Sequence, residues 1–159
     1  MDSILANKLD AVRELYQYWQ TLTLDGFGDE RDPVRDLPRL AGRLIVIDVS
    51  AKDYRYIHFG AEIAGKLDTD PTGRTIGVSN LVENVKMGWQ QLLRSVALRR
   101  TPRLVRIDGD EDTVHHILAL PLIDANRKTK RVLAGVFLDS HPTKRIIIRG
   151  WRRLDVESL

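Results

Sequence analysis

Leu5, Leu9, Val12, Leu15, Tyr16, Trp19 and Leu22 recur every three or four positions near the start of the chain. That spacing predicts a helix over residues 3–23, with Lys8, Asp10, Arg13, Glu14, Gln17 and Gln20 on the opposite face. Ser3 is its expected N-cap, because a serine hydroxyl accepts from a free backbone N–H of the first turn. The apolar stripe is wide and ends in aromatics, so it needs a partner surface: the domain's own sheet or a second subunit. Residues 25–36 form a polar loop broken by Gly26, Gly28 and Pro33. One helical turn is expected over residues 36–42, with Pro38 near its start.

The pattern then changes. Residues 44–49 and 54–60 are runs of β-branched, aliphatic and aromatic residues, read as two strands joined into a hairpin at 50–53. A short helix over 61–67 and a loop over 68–77 follow. A long helix is predicted over about 80–100, with Leu81, Val85, Trp89, Leu92, Leu93, Val96 and Ala97 on one face. Arg99 and Arg100 suit its negative end, and Pro102 forbids continuation. Strands are expected over 104–108, 113–124 and 131–139, joined by an acidic turn at 108–112 and a polar turn at 125–130. Residues 145–149 read as a short strand or an extended tail.

This order predicts an α+β domain on a five-stranded antiparallel sheet. In the strand from Thr113, side chains alternate between faces. Val114, His116, Leu118, Leu120 and Leu122 share one face; Thr113, His115, Ile117, Ala119 and Pro121 share the other. Both faces are apolar, whereas a sheet wetted on one side alternates more cleanly. The N-terminal helix is the expected cover for the second face. The chain divides into that helix (1–24), a loop (25–43), the core (44–140) and a basic C-terminal segment (141–159).

Composition narrows the picture further. The 159 residues suit one domain. There is no cysteine, which excludes disulfides, thiolate nucleophiles and cysteine-ligated metals, and suits a cytoplasmic setting. No apolar run approaches the roughly 20 residues of a membrane helix, and the start of the chain carries no secretory signal. The net charge is +3, concentrated in Lys144, Arg145, Arg149, Arg152 and Arg153. A solvated tail accounts for that cluster; nucleic-acid contact, with Trp151 stacking among the arginines, is the rival reading and the less expected one.

The element order, with local motifs, resembles the PAS domains, specifically a family of single-domain bacterial PAS proteins common in alphaproteobacteria. The matching stretches are Leu15-Tyr16-Gln17-Tyr18-Trp19, Asp36-Leu37-Pro38-Arg39-Leu40, Ile45-Val46-Ile47-Asp48-Val49, Tyr54-Arg55-Tyr56-Ile57-His58-Phe59-Gly60, Asp70-Pro71-Thr72-Gly73-Arg74, Arg99-Arg100-Thr101-Pro102 and Leu120-Pro121-Leu122. The chain departs from that family at Ile57 and His58, where an arginine and an aliphatic residue are expected. The resemblance implies a sensing or protein-interaction domain without catalytic residues. It also implies what is missing. Haem-binding PAS domains commonly ligate iron through a histidine on the long helix, and residues 80–100 contain none. Flavin and coumarate photosensors commonly use a cysteine, so a cysteinyl–flavin adduct is disfavoured as well. No cofactor is expected, and an unidentified non-covalent small molecule stays open.

A ligand pocket would lie between the sheet and the helices at 61–100, and Tyr56, His58, Trp89, Leu93, His116 and Leu118 are its candidate lining. Each has a structural alternative: Trp89 and His116 as core residues, Tyr56 and His58 bonded within the protein. Arg74, after a Gly73 expected to need unusual backbone angles, pairs with an acid or holds an anionic ligand. His115 and His116 are adjacent in a strand, point to opposite faces and do not share a metal. The turn at 108–112 lacks the spacing and terminal glutamate of an EF-hand loop. Leu5, Leu9, Val12, Tyr16 and Trp19 are the candidate dimer interface. The expectation is therefore a non-catalytic cytoplasmic regulatory domain, a homodimer that also meets an unknown signalling protein. Small-molecule binding is the first alternative and nucleic-acid binding the second.

Overall fold

The computed structural model describes residues 3–24, 31–76, 83–109, 112–139 and 148–159. Helix α1 spans Ser3–Leu24, close to the predicted span. The next helical turn, α2 (Pro33–Asp36), starts earlier than Pro38 suggests. Asp32 caps it by accepting from Arg35 N, and Pro33 opens the helix, where its missing N–H costs nothing. A 3-10 turn at Ala41–Arg43 leads into β1 (Leu44–Asp48), followed by β2 (Arg55–Phe59) and α3 (Ala61–Leu67). Helix α4 is described over Glu83–Arg99. Arg100 ends it in the left-handed region at φ 56°, its N–H returning to Val96 O.

The remaining strands are β3 (Arg103–Gly109), β4 (Val114–Ile123), β5 (Thr129–Phe137) and β6 (Ile148–Leu154). They join β1 and β2 in one antiparallel sheet of six strands, ordered β2-β1-β5-β4-β3-β6. The fold class stands as expected, with one strand more than the five the sequence suggests. The added strand, β6, comes from the basic C-terminal segment and pairs along β3. Its arginines fall on both faces, so it shows no apolar alternation; charge is typical of an edge strand, where it discourages unwanted pairing.

Both faces of the sheet are covered. On the inner face, α3 and α4 enclose Ile45, Ile47, Tyr56, Phe59, Ile63, Trp89, Leu93, Val96, Val105, Ile107 and Ile117. On the outer face, α1 lies across β4 and β5, and Val12, Leu15 and Leu22 pack with Leu44, Leu118, Leu120, Leu133 and Phe137. Each such fully buried aliphatic side chain contributes roughly 1.5–3 kcal/mol relative to exposure. Gly135 of β5 makes the seat for α1: a Cβ there would run into the Leu15 methyl and the Phe137 ring.

Candidate functional site

A β-bulge decides what β2 presents to each face. Tyr56 pairs with Ile47, His58 with Val46, and Ile57 is left over between them, 46% exposed. The extra residue shifts the alternation by one. Tyr56 and Phe59 therefore both point inward, where their rings meet edge to face at 5.5 Å. His58 goes to the other side with Val46, and its Nε2 lies 3.0 Å from Ala41 O.

The six residues expected to line one pocket are thus divided by the sheet. Tyr56, Trp89 and Leu93 come together on the inner face. Trp89 donates its indole N–H to the Tyr56 hydroxyl at 2.7 Å, a buried polar pair linking α4 to β2. Leu118 belongs to the outer cluster under α1. His116 is buried on that same side, opposite Phe137 and Arg106. The alternation grouped His116 with Leu118, Leu120 and Leu122 as the structure does, but that group faces α1 and not α4. The expected common lining is corrected accordingly.

His115 faces the other way and accepts at Nδ1 from the Asp139 backbone N–H, 2.9 Å away, while Asp139 accepts from Val114 N. Accepting at Nδ1 places the ring proton on Nε2. These bonds tie the start of β4 to the end of β5. His141 lies outside the described residues, as do Asp110 and Glu111 of the acidic turn. Asp108 of that turn pairs with Arg106 at 2.8 Å and Arg152 at 3.8 Å.

The Thr72-Gly73-Arg74 stretch forms a turn docked along β2, with Gly73 N bonded to Tyr56 O and Tyr56 N to Arg74 O. Gly73 takes φ +83°, the left-handed conformation its identity suggested. Asp70 accepts from the Thr72 hydroxyl at 2.6 Å and from Thr72 N at 3.1 Å. Those two bonds hold its carboxyl below the usual carboxylate range. The Arg74 side chain itself is exposed on this turn.

On α1, Val12 is fully buried on the chain's own sheet, so it is spent on the core. Leu9, Tyr16 and Trp19 are half-buried, Tyr16 and Trp19 stack at 5.9 Å, and Trp19 donates to Pro121 O at 2.8 Å. The side chain of Leu5 lies outside the described residues. Tyr16 and Trp19 form one wall of an open groove of about 790 Å³ against Thr101, Pro102 and residues 153–157. A second open groove, about 510 Å³, runs between Tyr54, Ile76, Arg94 and the exposed Leu98. Sequence reasoning missed both, because each joins residues remote along the chain. Among the described residues, no three of His, Cys, Asp and Glu converge as they would around a metal ion. No helix among them is long and apolar enough to cross a membrane.

The architecture is similar to the solved structure of a light-oxygen-voltage domain studied with a flavin analogue. The TM-score is 0.52 at 13% identity, over 70% of this chain and 87% of that one. No protein-family model matches the chain, and no curated protein matches it. The likeness establishes the fold as PAS-type.

Proposed function

We propose that this chain is a non-catalytic PAS-type sensory or regulatory domain of a bacterial kind, whose output passes through contact with another protein. The observation that carries this reading is a PAS-type sheet capped on both faces by its own helices. Such a unit offers surfaces more readily than an active-site cleft. A second copy is the first partner in this reading, meeting the half-buried rim of α1 at Leu9, Tyr16 and Trp19. A chain without cysteine fits the reducing cytoplasm.

The second reading is a small-molecule sensor, favoured by the Trp89–Tyr56 pair inside an otherwise apolar inner cluster. A bound molecule there would have to replace that hydrogen bond or add to it. The light-oxygen-voltage neighbour was studied with a flavin analogue. With no cysteine, this chain could hold such a ring system only without a cysteinyl bond. Native mass spectrometry of freshly purified protein tests both readings at once. The first predicts twice the mass of one chain; the second predicts an adduct in the mass range of a small molecule. Bare monomer alone would contradict both.

A further inference from the structure

The geometry points to a binding site for a phosphate-type oxyanion at the C-terminal end of α4, formed by Arg99, Arg103 and Arg153. The inference does not depend on the regulatory reading above.

Arg103 opens β3, and its cross-strand partner Ala119 belongs to the inner cluster, so Arg103 faces the α4 side of the sheet. The residue is 9% exposed, yet its guanidinium makes no hydrogen bond or ion pair among the described residues. Its nitrogens are not among the sealed side-chain atoms, so the stem is enclosed while the head reaches an opening. A guanidinium cannot shed its proton to escape such a place. Even partial desolvation of an unpaired cation carries a cost, which an arriving anion relieves.

The neighbours add to the positive charge. Arg153 pairs with Val105, which places it on the same face, diagonal to Arg103 across the β3–β6 ladder. Diagonal neighbours sit roughly 7–8 Å apart, within reach of long side chains. Arg99 closes α4 on the same side, four residues before Arg103. Burial first, then Arg153 and Arg99, push the Arg103 guanidinium below its ordinary value. Asp155, two residues on from Arg153, keeps its negative charge, but its carboxylate accepts from Glu157 N, caps the final 3-10 turn and makes no ion pair with these arginines among the described residues. Arg100 is turned away, donating to Arg127 O. Trp151 lies two residues before Arg153 on the same face of β6, packed so closely on Gly88 of α4 that a Cβ there would lie 2.5 Å from the indole.

Three guanidinium forks supply more N–H donors than the two oxygens of a carboxylate accept. A tetrahedral dianion matches them better in charge and in number of oxygens. The phosphate is either free or carried on an ester, with the Trp151 ring beside it.

The test is thermal unfolding of the full chain in chloride, inorganic phosphate and phenyl phosphate at one ionic strength. Inorganic phosphate at about ten times its dissociation constant should raise Tm by roughly 3 °C or more over chloride. Arg103→Met should remove that rise while leaving the melting point in chloride unchanged or higher, since an enclosed, repelled cation has gone. Arg153→Gln, at a more exposed position, should fold normally and weaken phosphate binding at least tenfold. It carries the test if Arg103→Met does not fold. A larger rise with phenyl phosphate assigns the site to phosphate esters, and an equal or smaller one to free phosphate. The proposal is overturned if phosphate stabilises no more than chloride, or if Arg153→Gln responds like the parent chain.

Discussion

Trp89 on α4 donates to the hydroxyl of Tyr56 on β2 at 2.7 Å, both side chains buried within the inner cluster. A buried donor deprived of its acceptor costs more than the bond itself contributed. Tyr56→Phe should therefore destabilise the fold by about 1–3 kcal/mol, read from urea unfolding. Trp89→Phe removes the other partner. The double mutant should lose less than the sum of the two, with a coupling of roughly 0.5 kcal/mol or more. Strict additivity would mean that the bond contributes nothing.

Gly135 and Leu15 make a second coupled pair. A Cβ on Gly135 would displace Leu15, so Gly135→Ala should cost about 1–3 kcal/mol by overpacking the seat of α1. Leu15→Ala alone should cost about 2–5 kcal/mol as a cavity. Added to Gly135→Ala it should cost distinctly less, because the new methyl occupies part of the space. Thermal melts of the four proteins check this.

Tyr18 links α1 to α2 by donating its hydroxyl to Asp36 Oδ2 at 2.7 Å. Burial first, and then that hydrogen bond, raise the phenol above its usual value of 10.0. A raised folded-state value means the folded chain holds the proton longer than the unfolded one. Stability from this pair is then fully present below the unfolded value and lost as pH climbs through the folded one. Urea midpoints between about pH 8 and 12 should fall in the upper part of that range, and fall less in Tyr18→Phe.

Much of this architecture is legible in the sequence, and the gaps have physical causes. The stripe from Leu9 to Leu22 predicted α1, and the apolar character of both faces of β4 predicted that something covers each. Alternation also sorted β4 correctly into two sets of side chains. The assignment of the two sets to α1 and α4 came out reversed, because both are apolar and the pattern does not tell them apart. In β2 the alternation itself misled. Tyr56 and Phe59 are three residues apart, and two large aromatics at that spacing in a short strand are the one available sign of the bulge at Ile57. Strand β6 was anticipated only as a short strand or tail over 145–149, ending too soon, because its arginines suit an edge that no core pattern marks. The cluster at Arg103 was invisible for another reason: it depends on β6 lying beside β3.

The dimer reading has its own variant. Leu9 is half-buried on α1, next to side chains wholly committed to the sheet. Leu9→Glu should leave the circular dichroism spectrum and cooperative melting intact while shifting the protein to monomer. A variant that stays dimeric would move the interface away from α1.

The most direct measurement is light scattering on the size-fractionated full chain at micromolar concentrations. The account predicts a species of twice the 18.2 kDa of one chain, with monomer appearing only on dilution. A single 18.2 kDa species across the whole range would contradict a domain that works by pairing with its own copy.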